Sequence, residues 1–265
     1  VSSNKITVTR LREMKRDGRK ISCLTCYDAS FARLMEQAGI ELLLVGDSLG
    51  MVVQGQSTTL PVSLDEMVYH ARNVARACHN PLLIVDLPFM SYASPEQALR
   101  SAARLMQEGG AQMVKLEGGG PVLESVRRMT EQGIPVCAHL GLLPQSVHKL
   151  GGYRVQGRDD VAAARILKEA YELQEAGADL LVLECVPASL GAEVSATLEI
   201  PVIGIGAGSS CDGQVLVVYD MLGMNPNPAS FVRDFLGGAG SIEGAFQAYV
   251  AAVRDGGFPT LEQAF

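Results

Sequence analysis

The chain has 265 residues, of which 48% are hydrophobic and 19% charged, with a formal net charge of −7. That length suits one large α/β unit or two ordinary ones, and the apolar content allows a substantial core, so disorder is not expected. The acidic balance and the lack of any Lys/Arg cluster argue against nucleic acid as a partner. Apolar runs stop far short of the roughly 20 residues that span a bilayer. No signal-peptide pattern is visible, and the cytoplasm is the expected compartment.

In chain order, Ile21–Cys26 reads as a first buried strand, followed by a helical pattern over Ser30–Ala38. Strand Glu41–Gly46, helix Leu64–Cys78, strand Pro81–Leu87 and helix Pro95–Glu108 come next. Then follow strand Gln112–Leu116, helix Pro121–Gln132, strand Ile134–Ala138 and helix Val161–Ala176. Strands Leu180–Leu183, Pro201–Ile205 and Val215–Tyr219 complete the series. Gly39, Gly109, Gly133 and Gly177 stand after helices and before strands, the C-cap signal of an α-to-β connection. Eight strands alternating with helices predict a parallel sheet, and the count favours a (β/α)8 TIM barrel over a doubly wound open sheet. The Gly-rich fingerprint of the open-sheet alternative is missing after the first strand. No linker or repeat divides the chain, so residues 1–265 are expected to form a single domain. Its C-terminal segment, 228–265, adds helices over Ser230–Leu236 and Ile242–Asp255.

Six cysteines lie mostly in apolar strand-like runs, as reduced buried thiols do. Cys23 and Cys26 have the C-x-x-C spacing but sit within a strand pattern, and no second such pair exists to complete a zinc site.

In a barrel of this type the strand C-termini build the active site. Reading those exits in order gives Tyr27 and Asp28, Asp47 and Ser48, Asp86, Lys115 and Glu117, His139, Glu184, Gly206 and Gly208, and Asp220. A single aspartate at such a place is often only a helix N-cap. Polar groups at most of eight exits are harder to explain that way. Lys115 and Glu117 are one residue apart, so on a strand they point to the same side. Asp47, Asp86, Glu117 and Glu184 would face one mouth, where two carboxylates 4 Å apart repel by roughly 4 kcal/mol at an effective dielectric near 20. One lysine cannot neutralise four such groups, and a bound cation is the natural remedy. The donors are hard oxygens with no His/Cys cluster beside them, which suits Mg²⁺, or Mn²⁺ in its place, better than zinc.

Several longer motifs then carry a family resemblance. They are Val45–Met51 with Gln54-Gly55, Thr59–Val62, Asp86–Met90, Val114–Gly119, His139–Leu142 with Pro144–Ser146, Gly151–Arg158, Leu183–Pro187, and Gly204–Gly208 with Asp212–Gln214. Together, in this order and from about Thr7 to Phe258, they resemble the ketopantoate hydroxymethyltransferase family, within the phosphoenolpyruvate/pyruvate barrel superfamily. The resemblance implies transfer of a hydroxymethyl group from 5,10-methylenetetrahydrofolate to 3-methyl-2-oxobutanoate, the first step of pantothenate biosynthesis. It also implies that Asp47 and Asp86 hold Mg²⁺, with Glu117 completing the surroundings of the ion, directly or through water. By the same resemblance Ser48 and Lys115 bind the oxo acid together with Asp47 and Asp86, Glu184 is the general base, and His139 and Tyr27 line the pocket. A homo-oligomer, commonly a decamer, is implied too, with the C-terminal segment packing on a neighbouring subunit.

Two positions depart from the usual family wording. Ala138 stands where glycine is usual, and Leu143 where threonine is common. Ala138 is small enough for its strand to survive, whereas Leu143 leaves the following loop open.

The main competing reading is another Mg²⁺-dependent 2-oxo acid lyase or mutase of the same superfamily, although the Lys-Arg-Cys-Gly-His loop of its lyases is absent here. A phosphate-binding barrel using Gly204–Gly208, and a barrel kept only for assembly, are the others. His148, Lys149 and the Gly151–Arg158 loop are candidates for a lid or a cofactor contact, with a solvated loop as the alternative.

Overall fold

A computed structural model describes residues 5–265. The strands are β1 (Ile21–Thr25), β2 (Leu42–Val45), β3 (Leu82–Asp86), β4 (Met113–Glu117), β5 (Val136–Gly141), β6 (Leu180–Glu184), β7 (Val202–Ile205) and β8 (Gly213–Leu216). Each pairs in parallel with its neighbour in sequence, and β8 pairs with β1, so the sheet closes as the expected (β/α)8 barrel. A parallel sheet covered on both faces buries every strand position, which is why these segments read as continuous apolar runs.

The burial divides by pleat. Ile21, Cys23, Leu42, Leu44, Leu82, Ile84, Met113, Cys137, Leu180 and Val182 fill the barrel interior. The alternate residues, such as Leu43, Val85, Val114, Ala138 and Leu183, pack outward against the helices. Cys23 therefore faces inward and Cys26 outward. All six cysteines are free and buried. Ala138 is buried on the helix side, and β5 runs through it unbroken.

Helix boundaries follow local chemistry. Asp28 caps Ala29–Ala38 by accepting from the backbone N–H groups of Ser30 and Phe31, and Gly39 ends that helix at φ 85°. Ser63 and Glu66 form a reciprocal capping box at the start of Leu64–Ala75. Ser94, with Pro95 in the first turn, starts Pro95–Gln107.

Three expectations need correction, and two longer helices fall outside the expected elements. The helix expected over Leu64–Cys78 stops at Ala75. The strand expected over Val215–Tyr219 ends at Leu216, because Thr25 Oγ1 accepts from Val218 N at 2.9 Å and the chain turns into a short helix, Val218–Met221. Ser230–Leu236 is not helical. So short a segment cannot sustain a helix by propensity alone. Instead Asp234 Oδ1 accepts from Leu236 N and Gly237 N, while Phe235 is buried edge-on against Tyr249 and Phe258. The helices Val8–Arg16 and Ala188–Thr197 were not anticipated. Val8–Arg16 closes the lower end of the barrel, where Leu11 and Met14 join the interior cluster. Ala188–Thr197 is built of small residues with little polar contrast, so its period is faint. The helix Ile242–Arg254 packs on Ala29–Ala38 and β1, with the Tyr249 hydroxyl 3.0 Å from the carbonyls of Cys23 and Gln214.

Candidate active site

The interior pleat continues to the upper mouth, and there it changes from apolar to charged. Asp86 follows Leu82 and Ile84 on the inward face, Lys115 and Glu117 follow Met113, His139 follows Cys137, and Glu184 follows Leu180 and Val182. Strand register then decides the neighbours. Asp86 is paired with Lys115, Glu117 with His139, and Gly141 with Glu184. Asp47 is the exception, because β2 ends at Val45 and the turn Gly46–Ser48 aims it inward.

Lys115 Nζ donates to Asp86 Oδ1 at 2.6 Å, and the backbone N–H of Asp47 donates to Asp86 Oδ2 at 3.0 Å. Burial disfavours the Lys115 ammonium, yet Asp86, Glu117 and Asp47 outweigh that and hold its pKa above the ordinary value. Asp47 is 4% exposed. Burial, then the charges of Asp86 and Glu117, push its carboxyl well above the usual range, against the pull of Lys115 and Gln145. His139 Nε2 lies 3.2 Å from Glu184 Oε2 and Nδ1 lies 3.6 Å from Glu117 Oε1. These are charge contacts without hydrogen-bond alignment, since neither ring nitrogen has a well-oriented partner. Burial and Lys115 oppose protonation of His139, but Glu117 and Glu184 prevail and push its pKa up to about 9. The Glu184 carboxylate therefore faces an imidazole, not the apolar setting that its flanks Leu183 and Cys185 suggest.

A cavity of about 390 Å³ opens here, lined by Asp47, Ser48, Asp86, Lys115, Glu117, His139 and Glu184 among others. Tyr27 is almost wholly buried and does not form its wall. Its hydroxyl lies 2.8 Å from Ser48 Oγ, and its ring stacks on Tyr219. Asp28 is a helix cap. Asp220 reaches the cavity from the short helix Val218–Met221 and accepts from Asn225. His148 and Lys149 lie on the exposed short helix Val147–Leu150, whereas Tyr153 of the following loop reaches the cavity.

No group of three His, Cys, Asp or Glu side chains converges as a ready-made metal cage among the described residues. The oxygen donors of Asp47 and Asp86 still suit a hard cation that keeps several waters and takes only one or two carboxylates from the protein. The shortage of positive charge around Asp47 fits the same picture.

The sequence profile of ketopantoate hydroxymethyltransferase matches residues 5–261. A 3-methyl-2-oxobutanoate hydroxymethyltransferase from Nitrosococcus oceani is 61% identical over 262 residues, covering 98% of this chain and 99% of that one. The chain belongs to the ketopantoate hydroxymethyltransferase family. Solved structures extend the likeness of the fold. A putative phosphonomutase from Burkholderia cenocepacia aligns with a TM-score of 0.63 at 18% identity, covering 82% of this chain and 95% of that one. A phosphonopyruvate hydrolase, described as a complex with oxalate and Mg++, aligns with a TM-score of 0.61 at 13% identity, covering 80% and 81%.

In this member of the ketopantoate hydroxymethyltransferase family, sequence reasoning passed over Gln145 and Tyr92. Gln145 Nε2 donates to Asp47 Oδ2 and to the Leu87 carbonyl, both at 2.9 Å, and its backbone N–H donates to Glu117 Oε2 at 3.0 Å. Tyr92 donates its hydroxyl to Gln145 Oε1 at 2.5 Å. The signal available was the Pro144-Gln145-Ser146 motif itself, a polar side chain just past a strand exit. The glycines flanking Asp47 leave room that their neighbours fill. A Cβ at Gly46 would meet Ser48 Oγ at 2.7 Å, and one at Gly50 would meet Val62 Cγ2 at 2.7 Å.

Proposed function

We propose that this chain forms 2-dehydropantoate by transferring a hydroxymethyl group from 5,10-methylenetetrahydrofolate to C3 of 3-methyl-2-oxobutanoate, with Mg²⁺ as cofactor. The names of the family and its relatives support the oxo acid and the group transferred. The complex of the phosphonopyruvate hydrolase with oxalate and Mg++ supports the metal. The observation that carries the reading is the uncompensated carboxylate pair. Asp47 and Asp86 sit side by side, and Lys115 is spent on one Asp86 oxygen.

In this reading Asp47 and Asp86 hold Mg²⁺, or Mn²⁺ in its place. Glu117 Oε2 accepts from Gln145 N and Oε1 lies beside His139, and in this reading Glu117 completes the surroundings of the ion, directly or through water. When bound, the cation supplies Lewis acidity to the carboxylate and keto oxygens of the oxo acid. Ser48, steadied by Tyr27, donates to the substrate carboxylate. Lys115 brings fixed positive charge to the side of the cavity where negative charge develops on the keto oxygen. Glu184 removes the C3 proton, and cationic His139 behind it holds the carboxylate in place. Water breaks the two C–N bonds of the methylene, freeing tetrahydrofolate with N5 and N10 protonated and leaving the carbon as formaldehyde; C3 then bonds to that carbon, and the alkoxide oxygen takes back the proton held by Glu184.

The test is loss of the C3–H signal of 3-methyl-2-oxobutanoate in D₂O, followed by NMR with Mg²⁺ and no folate. Exchange is expected in the wild type, abolished by Glu184→Gln and sharply weakened by Asp47→Ala. Undiminished exchange in Glu184→Gln removes that residue as base, and a wild type that exchanges nothing overturns the enolisation chemistry.

A further inference from the structure

A second cavity, of about 590 Å³, adjoins the first, and the two share Tyr153, Glu184, Ala229 and Phe231. Their chemistry differs. The first is walled by carboxylates, whereas the second carries Arg154 and Arg158 with the rings of Tyr153, Phe231 and Phe265. Both arginines are exposed, in a chain of net charge −7, and neither forms a salt bridge among the described residues. Large aromatic surface is open there too, with Tyr153 52% and Phe265 38% exposed.

These parts are held in place. The backbone N–H of Gln156 donates to the Cys185 carbonyl at 2.8 Å, which pins the loop bearing Tyr153, Arg154 and Arg158 beside the end of β6, next to Glu184. On the opposite wall Phe231 and Phe265 meet edge to face at 6.3 Å. They lie against Gly206, where a Cβ would come within 2.9 Å of one ring and 3.0 Å of the other. The Phe265 carbonyl accepts from Ala188 N at 2.8 Å, tying the chain end to this wall.

We propose that the second cavity is the seat of the folate carrier, an inference that rests on the folate reading above. Methylenetetrahydrofolate carries a reduced pterin, whose pyrimidine ring is planar, and an aryl amine, with the reactive methylene bridging N5 of the one and N10 of the other, and a glutamate tail of two carboxylates. The rings fit the aromatic walls, and stacking on Tyr and Phe faces adds to their burial. The two carboxylates match Arg154 and Arg158, whose planar forks suit carboxylate recognition. The methylene, between the ring systems, meets the shared wall at Glu184. The acidic first cavity repels such a tail. The basic cavity by Arg19 and Arg254 lies at the strand N-termini, the far end of the barrel from Glu184.

The test compares steady-state kinetics of the wild type, Arg154→Ala/Arg158→Ala and Phe231→Ala, using methylenetetrahydrofolate and its pteroate analogue, which lacks the glutamate. In the double variant KM for methylenetetrahydrofolate is expected to rise at least tenfold, while KM for the oxo acid moves less than twofold. With the pteroate carrier, wild type and double variant should have similar KM values, and Arg154→Lys/Arg158→Lys should recover part of the loss. Phe231→Ala should raise KM for both carriers. A carrier KM within twofold of wild type in both alanine variants overturns the seat while leaving the folate reading intact. A wild type that exchanges C3–H in D₂O but makes no product from methylenetetrahydrofolate overturns the folate reading, and the seat with it.

Discussion

Replacing Gln145 with methionine keeps the volume of a residue that is only 7% exposed and removes the polar contacts of its side chain, while its backbone N–H still donates to Glu117. The lost hydrogen bond to the Asp47 carboxylate is worth about 1.5–3 kcal/mol, and the Leu87 carbonyl and Tyr92 hydroxyl left behind each cost about 1–3 kcal/mol if no water replaces them. The three belong to one network and do not add, and the adjoining cavity admits water, so a net loss of about 3 kcal/mol is expected. At roughly 2–4 °C per kcal/mol for a chain near this size, Tm should fall by about 6–12 °C. Gln145→Glu separates charge from packing. A third carboxylate about 4 Å from Asp47 adds roughly 4 kcal/mol of repulsion at an effective dielectric near 20. Its Tm should fall further, and Mg²⁺ should restore more of it. Circular-dichroism melts at matched scan rate and protein concentration, with and without Mg²⁺, measure both effects. A Gln145→Met protein that melts within 1 °C of wild type, with the same Mg²⁺ response, refutes the view that this amide holds Asp47.

The raised pKa of Asp47 makes the metal-free fold pH-sensitive in a defined direction. A group whose folded pKa lies above its unfolded value, near 3.8, contributes stability that is full below that value and is lost as pH rises through the folded pKa. Metal-free Tm should therefore decline over that window, Mg²⁺ should reverse the decline, and Asp47→Asn should flatten it. An Asn variant with the wild-type profile would sink this account. Lys115→Met strands Asp86 in the interior and should cost about 3–5 kcal/mol in denaturant melts. Adding Asp86→Leu should restore most of that stability but no C3–H exchange. Gly141→Ala drives a Cβ into the Glu184 carbonyl at φ +90°, so Glu184 must move. A displacement near 1 Å should slow C3–H exchange by about 100-fold, measured by the same NMR assay.

Much of the barrel is legible without coordinates. All eight strands overlap the apolar runs, β8 only at Val215 and Leu216, because a sheet buried on both faces leaves little room for polar residues along it. The period of two also carries from Met113 through Lys115 to Glu117, and from Leu180 through Val182 to Glu184, so those side chains had to share the barrel interior. Asp28 looks like Asp47 in the sequence, yet it caps a helix while Asp47 points into the cavity. A strand exit alone does not distinguish the two, because the turn after the strand chooses the direction. The Ser230–Leu236 segment fails as a helix for a related reason. Phe235 gains more from burial against Tyr249 and Phe258 than the segment could gain from a turn or two of local hydrogen bonds.

The sequence by itself thus determined the strand count, the closed parallel sheet and the inward side chains of β3 to β6, since each follows from periodicity and burial along the chain. Only the tertiary structure decided which charges meet. Strand register set Lys115 beside Asp86 and His139 beside Glu117, and the loop after β5 folded back so that Gln145 grips both Asp47 and Glu117. Those contacts join residues far apart in sequence, and no local pattern encodes a distance that closure of the barrel alone creates.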